Sequence, residues 1–310
     1  AISAAKLLYS TNAGTSFTDV TLNGVDTWSF TIPDGIYLAN EIQIIAIDAT
    51  ENESTTVFNP VPFVVDTTLP TVSSFTISDM SLKIGDTATV TLTFSEAVVE
   101  FSSTADITAQ NGTLVGPIGT QGTEMSSTDG GITWTGTFTP NTNVTDASNI
   151  ITLSANYTDL VGNPGPSATS SNYVIDTTPP TVISFTISDT ALKIGDTAIV
   201  TLTFSEAVVE FSSTADIDAQ NGTLLEMIST NGGITWTGTF TPTANVEDAS
   251  NVLTLSTNYT DLAGNSGPSA TATPAYAIDT KAPVINLSNV VSNINDGLNA
   301  LGSVSANETV

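Results

Sequence analysis

The sequence predicts an all-β chain built as tandem antiparallel β-sandwiches arranged end to end as a rod. Three observations carry that expectation. First, Asp176-Thr177-Thr178-Pro179-Pro180 returns as Asp66-Thr67-Thr68-Leu69-Pro70 and as Asp279-Thr280-Lys281-Ala282-Pro283. The Asp-to-Asp spacings, 110 and 103 residues for positions 66, 176 and 279, are the size of one two-sheet sandwich. Second, apolar residues alternate with threonine at period two, the pattern of a half-buried strand. Third, Gly- and Asn-containing turn signals separate these runs, and no window sustains a helical period.

The elements follow in order. Residues 1–65 read as an N-terminally truncated repeat: Trp28-Ser29-Phe30-Thr31-Ile32-Pro33 matches Trp134-Thr135-Gly136-Thr137-Phe138-Thr139-Pro140 with one residue fewer. Residues 66–175 and 176–278 are the complete repeats, and 279–310 is the front of another, expected to be frayed or loosely attached. In the complete repeats Lys83-Ile84-Gly85-Asp86 and Lys193-Ile194-Gly195-Asp196 mark a turn. Val90, Leu92 and Phe94 then alternate with Thr89, Thr91 and Thr93, as Val200, Leu202 and Phe204 do between their threonines. Asn111-Gly112 and Asn221-Gly222 are further turn signals, as are Gly130-Gly131 and Gly232-Gly233. The Trp134 and Trp236 strands come next, with both indoles expected in the core, and Ile151, Leu153, Ala155 and Tyr157 read as one more strand. An eight-residue excess between Asn111 and Trp134, relative to Asn221 and Trp236, belongs in a surface loop. The chain lacks an initiator Met and stops inside a repeat, so it is expected to be part of something longer.

Composition narrows the function. A formal charge of −27, from 31 acidic residues against four lysines, repels phosphate backbones and anionic bilayers. Nucleic acid and membrane insertion are therefore not expected, and no apolar run is long enough to span a bilayer. With no Cys and no His, disulfides, Cys/His zinc sites and Ser-His-Asp triads are excluded. At 11% charged and 40% hydrophobic residues this is a folding chain, not an acidic disordered tail.

The acidic residues recur in register. If seven strands alternate up and down, the strand ending at Glu96 and the 159–163 loop return to the pole where Asp66 begins the repeat. Asp66, Glu96, Asp159 and Asn163 then converge, and Asp176, Glu206, Asp261 and Asn265 repeat the set. The series extends to Asp279 with Glu308 in the last segment and to Asp48 with Asn52 in the first. Several hard oxygen donors without nitrogen or sulfur favour Ca2+ over a transition metal. Each residue alone also fits an ordinary turn or a solvated strand end; the co-location is what points to a cation. Asp79, Asp86, Asp189 and Asp196 read as turn residues at the opposite pole.

In order and spacing, Phe94-Ser95-Glu96-Ala97-Val98, Trp134 to Pro140, Tyr157-Thr158-Asp159-Leu160-Val161-Gly162-Asn163 and Asp176-Thr177-Thr178-Pro179-Pro180 resemble the bacterial immunoglobulin-like repeats of giant, type I-secreted, RTX-type surface adhesins. The resemblance covers almost the whole chain. It implies immunoglobulin-like sandwiches, a location on the bacterial cell surface, and a structural extender stiffened by calcium held between neighbouring repeats. On this reading the chain is a monomer, its partners are its own neighbouring repeats, and it is not an enzyme. The alternative is a binding module whose loops recognise a glycan or a protein. That reading calls for an exposed aromatic or Asn/Asp cluster in one repeat alone, and the inserted loop, residues 114–126, contains no aromatic.

Overall fold

The computed structural model describes residues 6–22, 27–119, 122–268, 271–285 and 306–307. Among the described residues nearly every element is a strand, and the two helices, Ser103–Asp106 and Ser213–Asp216, have four residues each. By packing, the chain divides into two compact units. One comprises Ala1–Met80, Thr87–Thr139 and Ser148–Tyr173; the other comprises Ser81–Asp86, Pro140–Ala147 and Val174–Val310.

In the first unit the opening segment forms a sheet in the order Thr18–Asp19, Lys6–Ser10, Gln43–Ile47, Val57–Phe58, and Gly35–Tyr37 pairs with Phe63–Val65. Beyond Asp66, Gly112–Val115, Thr133–Pro140, Ala88–Phe94 and Val72–Ile77 lie side by side, with Ser126–Ser127 also paired to Thr133–Pro140. Ile107–Ala109, Ile151–Leu153 and Ala168–Thr169 form another sheet. Ala88–Phe94 shows why the chain is strand here: Val90, Leu92 and Phe94 are buried, while Thr89 faces solvent and Thr91 and Thr93 are half-buried.

The second unit repeats the plan. Val182–Ile187, Ala198–Phe204, Thr235–Pro242 and Gly222–Leu224 form one sheet; Ile217–Ala219, Leu253–Leu255 and Thr271–Ala272 form another. Between the sheets lies a single cluster that includes Val200, Leu202, Phe204, Phe240, Leu253, Tyr259 and Tyr276, all at most 1% exposed.

Three details depart from the sequence reading. The first strand of each repeat is split: after Val182–Ile187, residues Ala191–Lys193 pair in parallel with Tyr276–Asp279. Ser81–Leu82 do the same with Tyr173–Asp176. Splitting lets one segment cover an edge of each sheet, which a simple up-and-down order leaves open. The strand expected through Tyr157 ends at Leu153, and Ala155 is exposed. The alternation breaks there, and Tyr157 is buried through a separate turn. Trp134 and Trp236 are half-buried, not fully core. Each packs edge-on against a phenylalanine, Phe101 or Phe211, at 4.8 and 4.9 Å. Their indole N–H groups donate to Gly131 O and Gly233 O.

The turn expectations for the opposite pole agree with the structure. Asp86 and Asp196 each accept the backbone N–H of the lysine three residues earlier, and Asp189 accepts that of Ala191. Apart from 284–285 and 306–307, which pair with each other, the stub beyond Pro283 lies outside the described residues, and with it the expectation of fraying.

Candidate metal centre

Each complete repeat gathers three carboxylates through local geometry. Asp66 follows the strand Phe63–Val65 and accepts the Thr68 N–H at 2.9 Å, an Asx turn that opens the connector. Asp176, the last residue of Tyr173–Asp176, makes the same turn, accepting Thr178 N–H at 3.2 Å and the Thr145 hydroxyl at 3.0 Å. The next threonine anchors the connector. Thr177 is buried, donates its hydroxyl to Asn141 O at 2.7 Å and accepts Val144 N–H at 3.0 Å. Thr280 repeats this with Thr243 O and Val246 N–H.

The second carboxylate is held against the connector by a reciprocal clamp. Ser95 N–H donates to Thr71 O, and Thr71 N–H donates to Ser95 Oγ, both at 2.9 Å. Ser205 and Thr181 form the same clamp. Glu96 and Glu206 follow immediately. The third carboxylate arrives by strand pairing, Val98 opposite Asp159 and Val208 opposite Asp261.

The result is Asp66, Glu96 and Asp159 in one cluster and Asp176, Glu206 and Asp261 in the other, with carboxylate oxygens within 4.8 Å of one another. Asp159 and Asp261 are 1% exposed; the other four are half-buried. The three ion pairs among the described residues, Lys6–Asp19, Lys193–Asp196 and Lys281–Glu247, all lie elsewhere.

The loop after the third carboxylate is its scaffold. Asp159 Oδ1 accepts three backbone N–H groups, from Val161, Gly162 and Asn163, at 2.8–2.9 Å. Such a nest needs a left-handed residue, supplied by Gly162 at φ +98° and by Gly264 at φ +92°. Asn163 and Asn265 act as clips more than as oxygen donors. Asn163 Nδ2 donates to Asp159 Oδ2 (2.7 Å) and to the connector carbonyls of Asp66 (2.9 Å) and Thr68 (3.2 Å). Asn265 Nδ2 donates to Asp261 Oδ2 and Asp176 O, and its Oδ1 accepts Ile84 N–H at 2.8 Å.

The other expected positions are placed differently. Asp48 and Asn52 reproduce the scaffold, with Asp48 accepting from Thr50 and Asn52, and the Asn52 bonds foremost hold Asp48 down to about 2. Among the described residues no three-carboxylate group includes them. Asp279 is exposed and accepts Lys281 N–H; Glu308 lies outside the described residues. Sequence reasoning missed Glu124 and Glu226. They cap the two short helices by accepting from Ser102, Ser103 and Thr104, and from Ser212, Ser213 and Thr214. The repeated Phe-Ser-Ser-Thr-Ala-Asp run was the available signal.

The electrostatics are those of a site short of positive charge. Glu96 and Glu206 accept no hydrogen bond among the described residues, and their carboxyl groups titrate above the ordinary range. Burial is the largest cause, followed by Asp66 and Asp159 for Glu96 and by Asp176 and Asp261 for Glu206. For Asp159 burial also pushes upward, but the bonds from Asn163, Val161 and Gly162 together outweigh it and leave the group lowered.

Opposite shifts give opposite pH arms. A raised folded value means the folded state binds more protons, so stability falls as pH rises from about 4.5 through the raised values. The lowered Asp159 contributes stability above 3.8 that is lost as pH falls below it. In chelator, melting temperature is expected to rise as pH falls through the raised values toward 4.5 and to drop at lower pH. Glu96→Gln with Glu206→Gln should flatten the upper arm; an unchanged arm in that variant would disprove the assignment.

The donor set fits a hard cation. Two oxygens bound to one Ca2+ at about 2.3–2.6 Å stand at most about 5 Å apart, and three carboxylates supply the charge that such sites use. The smaller Mg2+ at about 2.0–2.1 Å demands a tighter octahedron.

No curated protein matches the chain in sequence. Among solved structures, the Escherichia coli adhesin FdeC is similar at 14% identity over 90% of this chain and 87% of that one, with a TM-score of 0.36. An I-band fragment of titin is similar at 8% identity over 89% and 88%, TM-score 0.41. The Yersinia pseudotuberculosis adhesin InvE is similar at 14% identity over 66% and 60%, TM-score 0.26. No helix among the described residues is long and apolar enough to cross a membrane. The family model described as bacterial Ig-like domain matches residues 66–175 and 176–278, well over half of the chain, so the protein belongs to the bacterial Ig-like domain family.

Proposed function

We propose that the chain is a structural extender segment of a bacterial cell-surface adhesin, stiffened by Ca2+ at the Asp-Thr connectors and serving to project a distal adhesive domain. One observation carries the reading: the same three-carboxylate cluster is built twice, each time from the Asp that opens the connector and two loops of the repeat that follows. A catalytic pair has no reason to recur at every connector, whereas a structural ion does. Asp66, Glu96 and Asp159 would hold one ion, and Asp176, Glu206 and Asp261 the other. Bound Ca2+ would supply the positive charge that the cluster lacks and would fix the connector backbone to the repeat that follows it. The finer placement, among type I-secreted RTX-type adhesins of the extracellular surface, rests on the resemblance of the repeats.

Calcium titration tests the reading. For an extracellular-type site with a dissociation constant near ~0.1 mM, ~10 mM calcium should add roughly 2.7 kcal/mol per site. Calorimetry should return two sites for the clusters described and a melting temperature that climbs with calcium. Equal melting in calcium and in chelator would remove the proposal.

A further inference from the structure

We infer that the 83–86 turn is a docking element for the Asp-x-x-Gly-Asn loop of the repeat that follows it, with Asn265 as the residue that reads it. The contact lies wholly within the second compact unit, which includes both Ser81–Asp86 and residues 261–265. Ile84 N–H donates to Asn265 Oδ1 at 2.8 Å, across 181 residues of sequence. Lys83 lies over the glycine beside it: a Cβ on Gly264 would stand 3.4 Å from Lys83 Cδ. Asn265 is consequently 2% exposed, a buried amide whose oxygen is satisfied by the docked turn and whose nitrogen is satisfied by Asp261 and Asp176. This contact needs no ion, so it is a second fastening that goes beyond the proposed calcium role.

The equivalent turn supplies the internal comparison. Both turns have Gly at the third position with positive φ, +85° at Gly85 and +87° at Gly195. Both close by Asp N–H to Lys O, at 3.2 and 3.1 Å, as type II turns do. At 193–196 no such loop is docked among the described residues. There the parallel pairing runs one residue further, to Lys193 opposite Asp279, whereas in the first repeat it stops at Leu82 opposite Ile175 and Ile84 turns to Asn265. Lys193 folds back on Asp196 at 3.0 Å and is exposed, while Lys83 is half-buried. Behind this second turn a groove of about 290 Å³ is lined by Ile194, Asp196, Pro242, Asn245 and Thr280, among others. The same element is thus presented again, and its fitting occupant is the Asp-x-x-Gly-Asn loop of another Ig-like repeat.

The test is a matched pair of proline substitutions in the full chain. Proline suits the second position of a type II turn, so Ile84→Pro deletes the N–H that Asn265 accepts while preserving the turn. Ile194→Pro makes the same change where none of the described residues supplies such a loop. Amide hydrogen exchange across residues 261–265 should accelerate on the order of fivefold in Ile84→Pro, the effect of losing one hydrogen bond. Ile194→Pro should leave those residues unchanged, and the difference should persist in chelator. Equal exchange in the two variants would overturn the inference, as would an Ile84→Pro effect seen only in calcium.

Discussion

Gly222→Ala is expected to destabilise the second repeat by about 2 kcal/mol or more, the upper part of the usual range for overpacking. A melting temperature lower by roughly 10 °C would follow for a domain of this size. A Cβ at position 222 would lie 2.1 Å from Phe240 Cζ and 2.3 Å from Cε2. That ring is fully buried and sits 5.4 Å edge-on from Tyr276, itself buried, so it has nowhere to retreat. Gly112 stands in the same relation to Phe138, with the backbone oxygen of Thr139 also within 2.7 Å of its Cβ position. A double-mutant cycle with Phe240→Leu checks the cause. If the clash is with the ring, Gly222→Ala costs less in the Phe240→Leu background. Additive losses would place the strain in the backbone instead.

This glycine also shows how much more than a turn signal the Asn-Gly dipeptide carries. Asn-Gly marks a turn between strands, as the sequence predicts; a two-residue hairpin would need positive φ at both positions. Here only Asn111 and Asn221 have it, at 53°. The flanking segments pair with different partners, Ile217–Ala219 with Leu253–Leu255 and Gly222–Leu224 with Thr235–Pro242, so the dipeptide passes between sheets. The glycine is there because an aromatic ring lies over it.

What was legible in the sequence was long or repeated. The seven-residue strand Ala198–Phe204 carries enough alternation to be read directly, and strand alternation with the recurrence of Asp, Glu and Asp was enough to single out the three carboxylates that lie together. What was hidden was short and non-local. Ala191–Lys193 has three residues, too few for a period, and its parallel partner lies more than eighty residues away at Tyr276–Asp279. The part played by Asn265 was hidden for the same reason, because its oxygen faces a turn from the preceding repeat. Its chemistry as an amide was visible; which of its two ends would face the carboxylates was not.

Removing carboxylates from the cluster is expected to change stability with a sign that depends on the solution. In ~10 mM calcium, Asp176→Ala combined with Glu206→Ala should remove one site's contribution, roughly 2.7 kcal/mol, while strand content stays unchanged. In chelator the penalty should shrink or reverse, because the variant also removes like charges that have no cationic partner among the described residues. Part of any residual loss belongs to Asp176 alone, which accepts from Thr178 and Thr145. Glu206→Gln separates the two effects, since Glu206 accepts no hydrogen bond among the described residues and glutamine keeps its shape. That single change should stabilise the protein in chelator and weaken calcium binding at one site. If it destabilises equally with and without calcium, Glu206 is a structural residue and the cluster is not a cation site. If the double variant unfolds in both solutions, these side chains support the sandwich itself.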